Sequence, residues 1–126
     1  MTELPSGFRT HVANIGVKDT TDDFVVIAAD RPVAAAGVFT RSRFAGPSVV
    51  ISREHLASGT ARAMVVVSKN ANVANGPQGE ADARELVGRI QPELQSLRAH
   101  ARDRSEIAVD CRELRRRNLI RSFPHA

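Results

Sequence analysis

Residues 24–29 read FVVIAA, a short apolar run that lies between Asp22-Asp23 and Asp30-Arg31-Pro32. Runs of four to eight such residues between turn-forming residues are typical of strands buried on both faces. Residues 33–40 (VAAAGVFT), 48–52 (SVVIS) and 63–68 (AMVVVS) have the same character. The pattern therefore predicts four strands, separated by turns that contain Gly or Pro.

The hydrophobic period changes after Pro77. An apolar stripe with the three- and four-residue spacing of a helix follows, formed by Ala83, Leu86, Val87 and Ile90. Pro92 is expected to break or kink this helix, and Ser52 is expected to cap a short helix over residues 53–56. Strands followed by a helix that covers one sheet face indicate an α/β or α+β layered fold.

The composition is that of an ordinary globular domain, with 126 residues of which 42% are hydrophobic, 25% charged and 4% aromatic. It excludes collagen-like and wholly disordered proteins, and a chain of this size builds one modest core. No apolar run approaches the roughly 18 residues of a membrane span, and the first residues do not resemble a secretory signal. With Cys111 as the single cysteine, no internal disulfide is expected. These features predict a cytoplasmic protein.

The positive charge lies at one end of the chain. Residues 1–97 carry ten basic and ten acidic side chains, whereas residues 98–126 carry eight arginines and four acids, which accounts for the whole net charge of +4. The chain therefore divides into a neutral body and a basic tail, which is either helical or disordered. Arg115-Arg116-Arg117 can bind phosphate, but no aromatic residues are interleaved with it for base stacking. Nucleic acid is therefore not the expected partner.

Motifs for metal or nucleophilic chemistry are absent from the sequence. The histidines have no partners at metal-ligand spacing: His11, His55, His100 and His125. Asp22-Asp23 has no third oxygen ligand nearby and is expected to be a solvated loop. The segment 76–79 (GPQG) can present amides to an anion, but a turn into the following helix is the favoured interpretation. No metal site is predicted.

Three segments together carry a family resemblance: 29–44 (ADRPVAAAGVFTRSRF), 46–56 (GPSVVISREHL) and 61–84, which includes SKNANVANG. With the opening Gly7-Phe8, they resemble the N-terminal part of the bifunctional ornithine acetyltransferase/N-acetylglutamate synthase (ArgJ-type) family. Order and spacing agree over residues 7 to about 91. The sequence of residues 42–50, SRFAGPSVV, resembles that of the paralogues found in clavulanic-acid-type gene clusters.

The resemblance implies the N-terminal portion of the family's layered α/β sandwich, here a partial domain over residues 1–97 followed by the divergent Arg-rich tail 98–126. It also implies acetyl transfer from N-acetylornithine to glutamate in arginine biosynthesis, with no metal or organic cofactor. The family's nucleophile is a threonine, exposed when the precursor cleaves itself at an Ala-Thr bond into α and β chains. The implied partners are a β chain and a second αβ copy in a heterotetramer, and a small acetylated amino acid.

The resemblance stops at about Leu97, and no threonine follows Thr60. Neither the nucleophile nor the family's Thr-Gly oxyanion segment has a counterpart here, so no catalytic and no substrate-binding residue is assigned. We expect a truncated chain that is inactive alone, with exposed apolar surface and a tendency to self-associate. A frameshift or early stop in the gene would explain the tail.

Two alternatives stay open. One is a non-enzymatic binding module whose Arg-rich tail contacts nucleic acid or an acidic partner. The other is an α-like subunit that requires a separately encoded β partner, although the missing oxyanion segment argues against it.

Four residues align with the family's Asn-Ala-Asn segment, which follows a strand and precedes a helix: Asn70, Asn72, Asn75 and Gly76. Asparagine side chains in such a place can hold the loop backbone through hydrogen bonds. The favoured interpretation is this structural role, and substrate contact is the alternative.

Overall fold

Three strands and two α-helices make up the described part of the chain, residues 4–17 and 20–99 of a computed structural model. In chain order they are β1 (Phe8–Ala13), β2 (Phe24–Ala34), α1 (Pro47–His55), a 3-10 turn (Leu56–Ser58), β3 (Thr60–Val67) and α2 (Gly76–Ala99). The predictions for the tail from His100 onward, and with them those for Cys111 and His125, lie outside the described residues.

The strands form an antiparallel sheet in the order β1-β2-β3. Phe24 lies opposite Ala13 and Val67, and residues directly opposite one another share a face of the sheet. On this inner face Phe24 and Val26 are fully buried. They form the core with Ile90 of α2, and Leu86 and Leu94 pack against it. The helix stripe predicted from Leu86 and Ile90 is therefore confirmed, and so is the α/β class.

The outer face of the sheet is also apolar but is largely uncovered. The register places Val12, Val25 and Val66 side by side on it, next to Ile27 and Met64. Val12 is 51% exposed, Met64 55% and Val66 41%. The prediction that the strands are buried on both faces is therefore wrong for the outer face. An unbroken apolar run shows that both faces are apolar, but not which layer covers them.

The expected strand over residues 48–52 is wrong, because this segment lies in α1. Gly46 is extended (φ −69°, ψ 160°) and Pro47 occupies the start of the helix, where its fixed φ and missing N–H are tolerated. Burial of Ile51 against the rest of the fold overrides the β propensity of its valine neighbours. Ser52 therefore lies inside α1 instead of capping a helix at 53–56.

The strand bounds near residue 30 also differ from the prediction. β2 continues through Asp30-Arg31-Pro32, where a turn was expected, and its register with β3 shifts between Ala28 and Val33. Such an irregularity accommodates a proline in a strand. β2 ends at Ala34, so the predicted strand over 33–40 is wrong beyond that residue, and 35–46 is an irregular connection.

β1 was not predicted, and α2 is longer than predicted. β1 places Phe8, Thr10 and Val12 on the outer face and Arg9, His11 and Ala13 on the inner face, so each face mixes apolar and polar residues and no clear period-two alternation marks the strand. α2 passes through Pro92 and ends at Ala99, so the expected break there is wrong. Pro92 has no N–H to donate to the Gly88 carbonyl one turn earlier. Both residues are exposed, so water can donate a hydrogen bond to that carbonyl instead. No helix in residues 4–17 and 20–99 is long and apolar enough to cross a membrane.

A buried carboxylate ties the β1–β2 connection to the sheet. Asp23 is 1% exposed, and its two carboxylate oxygens accept hydrogen bonds from the backbone N–H groups of Ile15 and Val17, both at 2.7 Å. Its backbone carbonyl accepts a bond from the Ser68 N–H at 2.8 Å. The expected solvated loop is therefore wrong at Asp23, which joins the end of β1 to the end of β3.

Replacing Asp23 should destabilise the fold in a graded way. Asp23→Ala leaves two backbone N–H groups without acceptors, which costs about 2–4 kcal/mol of unfolding free energy. Asp23→Asn keeps one acceptor oxygen and should lose about half as much. Urea unfolding followed by circular dichroism measures both. Equal stability of Asp23→Ala and the parent chain would contradict the assigned role.

The same substitution should have different consequences on the two faces of the sheet. Val26→Thr buries a hydroxyl in the core and should cost about 1–3 kcal/mol. Val12→Thr, on the exposed face, should change stability by less than about 0.5 kcal/mol and reduce self-association. Urea unfolding and sedimentation at several protein concentrations separate the two effects. Self-association that is unchanged in Val12→Thr would show that the outer face is not responsible for it.

Candidate functional site

The loop between β3 and α2 has an unusual backbone. Lys69 (φ 57°), Ala74 (φ 60°) and Gly76 (φ 63°) all adopt the left-handed region. This conformation is natural for Gly76, but it costs about 1 kcal/mol or more at each of the other two residues. Contacts elsewhere must therefore hold the loop in this shape.

The side chain of Asn72 provides the main contacts. Its Nδ2 donates to the backbone carbonyl of Gly79 in α2 at 2.7 Å, and its Oδ1 accepts from Nδ2 of Asn75 at 2.9 Å. Its backbone N–H donates to the Asn70 carbonyl at 3.0 Å. Asn72 thus links the loop to the start of α2 and to Asn70.

Two buried glycines allow the loop to pack this closely. A Cβ on Gly79 would lie 2.5 Å from Oδ1 of Asn72 and 2.8 Å from Cβ of Asn75. A Cβ on Gly46, which precedes α1, would lie 2.8 Å from the Asn72 backbone oxygen. These positions have no room for a side chain, so the loop is wedged between the beginnings of α1 and α2.

An ion-pair network joins the two helices beside this loop. Arg84 of α2 donates to both carboxylate oxygens of Glu54 in α1, at 2.9 and 3.1 Å, and to Oε1 of Glu80 at 2.8 and 3.0 Å. The hydrogen bond from Arg84 lowers the pKa of the Glu54 carboxyl, and the same contacts raise the pKa of the Arg84 guanidinium. All three side chains are exposed, so water and salt screen the network, which orients the helices more than it stabilises them.

A cavity of about 250 Å³ opens between the 43–47 segment, α1 and the start of α2. Its lining is formed by Arg43, Phe44, Ala45, Pro47, Val50, Val73, Ala74, Asn75, Gly76 and Glu80. The segment before α1 is held in place by Arg53, which donates to the Thr40 carbonyl at 2.8 Å and lies 5.7 Å from the ring centre of Phe39. The lining includes charged, apolar and amide groups but no hydroxyl, thiol, imidazole or amine side chain.

The predicted loop residues have different positions relative to this cavity. Asn75 and Gly76 line it, Asn72 lies behind them, and Asn70 contributes a backbone carbonyl. Sequence reasoning missed Arg43 and Glu80, which are far apart in the chain and line one cavity only because the segment before α1 lies beside the start of α2. It also missed Gly46, whose role depends on the close approach of the Asn72 backbone.

The described residues, 4–17 and 20–99, contain no group of three or more metal-ligating side chains. His55 is exposed at the end of α1, and the ring of His11 makes an edge-to-face contact with Phe24 at 6.4 Å between centroids. The prediction that no metal is bound stays a prediction.

Comparison with known proteins identifies relatives. The model of the ArgJ family matches residues 9–105, which extends past the point where the resemblance was expected to stop. The chain is 53% identical to arginine biosynthesis bifunctional protein ArgJ 2 of Nostoc sp., over 71% of this chain and 23% of that protein. It is 54% identical to glutamate N-acetyltransferase Oat2 of Streptomyces clavuligerus, over 67% of this chain and 22% of that protein. The chain thus spans about a quarter of the length of these relatives.

Two solved structures share the fold. The ArgJ protein of Bacillus halodurans superposes with a TM-score of 0.68 at 25% identity, over 71% of this chain and 48% of that one. Ornithine acetyltransferase of Mycobacterium tuberculosis, solved with ornithine, gives a TM-score of 0.68 at 28% identity, over 82% of this chain and 52% of that one. The expected ArgJ-type α/β fold is confirmed for the N-terminal portion.

Alanine at two glycines of α2 should have opposite effects on stability. Gly79→Ala places its Cβ against Asn72 and should cost about 1–3 kcal/mol of unfolding free energy. Gly88→Ala, where nothing lies within 4 Å of the new Cβ, should gain about 0.5–1 kcal/mol from helix propensity. Urea unfolding of both variants tests this, and a stabilised Gly79→Ala would show that the loop does not pack on α2 as described.

Proposed function

The chain belongs to the ArgJ family, and on this basis we propose that it forms the N-terminal part of an acetyltransferase that moves an acetyl group from N-acetylornithine to glutamate. The observation that supports the proposal best is the identity of 54% to glutamate N-acetyltransferase Oat2. The match to ornithine acetyltransferase solved with ornithine points to the same class of small amino-acid ligand.

The contribution proposed for this chain is structural support. In the family reaction a threonine hydroxyl attacks the acetyl carbonyl, ornithine leaves with its amine, and glutamate then takes the acetyl group from the enzyme. No threonine follows Thr60 in the 126 residues, and by the family pattern the nucleophile would come from outside them. We propose that Asn70, Asn72, Asn75 and Gly76 shape the loop that precedes α2, as their hydrogen bonds indicate, without contacting the reacting atoms.

The proposal extends to partners and organisation. The uncovered outer face, with Val12, Met64 and Val66, would pack against the remaining layers of the family fold, supplied as a β chain within an αβ heterotetramer. Residues 1–97 would form the partial domain, and residues 98–126 a separate basic tail. A cytoplasmic location is proposed on the family relationship alone.

A chimera tests the functional assignment directly. The 85 residues of this chain that align with Oat2 replace the corresponding segment of that enzyme, and formation of N-acetylglutamate from N-acetylornithine and glutamate is measured. We expect the chimera to retain activity within about tenfold of Oat2, because the segment supports the site but supplies no reacting group. The isolated 126-residue chain should show no turnover above the rate without enzyme.

Two results would contradict the proposal. A chimera that folds and assembles like Oat2 but does not transfer acetyl groups would show that this segment no longer serves the acetyltransferase fold. Turnover by the isolated chain would show that its own residues supply the nucleophile. The Gly79→Ala chimera serves as a matched control, since a disturbed loop should lower activity together with thermal stability.

A further inference from the structure

We propose that Asn75 and Gly76 form a self-modifying site, at which the Asn75 side chain loses ammonia to attack by the Gly76 backbone nitrogen and becomes a carboxylate. This inference goes beyond the proposed function, because the reaction needs only water and neither a substrate nor a partner. The chain has five asparagines, and Asn75 is the one that a glycine follows. Glycine has no Cβ, so no side chain hinders the approach of its nitrogen to the neighbouring amide carbon.

The reaction balances without an oxidant or a reductant. The Gly76 nitrogen gives its proton to water or hydroxide and attacks Cγ of Asn75, an attack favoured because both groups belong to one chain. A five-membered succinimide forms as the Cγ–Nδ2 bond breaks and ammonia leaves. Water then opens the ring. Attack at Cγ leaves aspartate at position 75, whereas attack at the backbone carbonyl carbon leaves isoaspartate, in which Cγ belongs to the main chain.

The structure leaves the attacking nitrogen unblocked. Gly76 is the first residue of α2, and the N–H groups in the first turn of a helix have no acceptor within that helix. No other described residue accepts a hydrogen bond from the Gly76 N–H, so its proton can be lost to solvent. Asn75 and Gly76 are both exposed, and nothing lies within 4 Å of the position that a Gly76 Cβ would take. Water therefore reaches the atoms that react.

The start of α2 favours the negative charge that develops at Asn75. The first turn of this helix contains no acidic residue, and Glu80 further along is paired with Arg84 at 2.8 Å. Nδ2 of Asn75 donates to Oδ1 of Asn72 at 2.9 Å, while Oδ1 of Asn75 accepts no hydrogen bond within residues 4–17 and 20–99. The oxyanion of the transition state and the carboxylate of the product both form beside the positive end of the helix dipole, which stabilises them.

Each product changes the loop. A carboxylate at position 75 has no N–H to donate to Oδ1 of Asn72, and it adds a negative charge to the cavity lining that includes Glu80. Isoaspartate also lengthens the main chain by one carbon. The loop packs too closely on Gly46 and Gly79 to accommodate that carbon without a shift. The isoaspartate form, separated from the parent chain by ion exchange, should therefore unfold at a lower urea concentration.

Ageing of the 126-residue chain tests the site directly. The chain is incubated in neutral buffer at physiological temperature, digested with trypsin and analysed by mass spectrometry. Trypsin releases residues 70–84 as one peptide, because a lysine precedes this segment and an arginine ends it. We expect the mass gain of deamidation at Asn75 at least about tenfold faster than at Asn70 or Asn72, which alanine and valine follow. These two asparagines are matched controls within the same peptide.

Two further measurements identify the product and the effect of the fold. An isoaspartyl methyltransferase with labelled S-adenosylmethionine should methylate the aged chain, and Asn75→Gln should abolish this, because its longer side chain closes a six-membered ring far more slowly. The rate at Asn75 in the folded chain should lie within about tenfold of the rate in a synthetic peptide of residues 70–84, because the fold leaves the Gly76 nitrogen accessible. Both rates should rise in mildly alkaline buffer, since the attacking nitrogen must lose its proton.

Three results would overturn the proposal. Equal rates at Asn70, Asn72 and Asn75 would show that the following glycine confers no special reactivity. A folded chain that stays unmodified at Asn75 while the peptide reacts would show that the loop protects the amide. Methylation that persists in Asn75→Gln would place the isoaspartate elsewhere in the chain. The comparison within one peptide needs no variant, so it remains decisive if Asn75→Gln does not fold, and it is independent of the chimera because no acetyl transfer is measured.

Discussion

The hydrogen bond from Asn72 to the carbonyl of Gly79 ties the loop to α2, and the core depends on the position of that helix. Within the described residues, α2 is the helix whose side chains bury Phe24 and Val26, through Ile90. The loop reaches this bond through left-handed residues at Lys69 and Ala74. Packing of the helix on the sheet therefore offsets strain that the loop would not sustain alone.

The sheet itself is stabilised unequally on its two faces. On the inner face, α2 removes apolar side chains from water, and Asp23 satisfies backbone donors where the strands end. On the outer face, Val12, Met64 and Val66 stay in contact with water. A sheet of this kind gains stability from a second layer, because packed sheets interdigitate their apolar faces at about 10 Å.

Much of this fold follows from local patterns in the sequence. The features that the sequence did not predict have a common cause. The stripe of Leu86 and Ile90 predicts α2, and the β-branched runs predict β2 and β3, because their periodicity is local. The helix at 47–55 was missed because burial of Ile51 and the Gly46-Pro47 start outweigh the β propensity of the valines. The burial of Asp23 and the placement of Arg43 and Glu80 around one cavity depend on long-range packing, which no local pattern records.

Packed and exposed residues differ in what they contribute around the loop that precedes α2. Gly79 and Asn72 are packed, so changes there act on the fold first and on the cavity as a consequence. Arg43 and Glu80 are exposed, and the ion pair between Glu80 and Arg84 is screened by water, so their charges can change with little effect on stability. The backbone behind the cavity is therefore fixed by packing, and the charged side chains at its rim depend on that backbone for their positions.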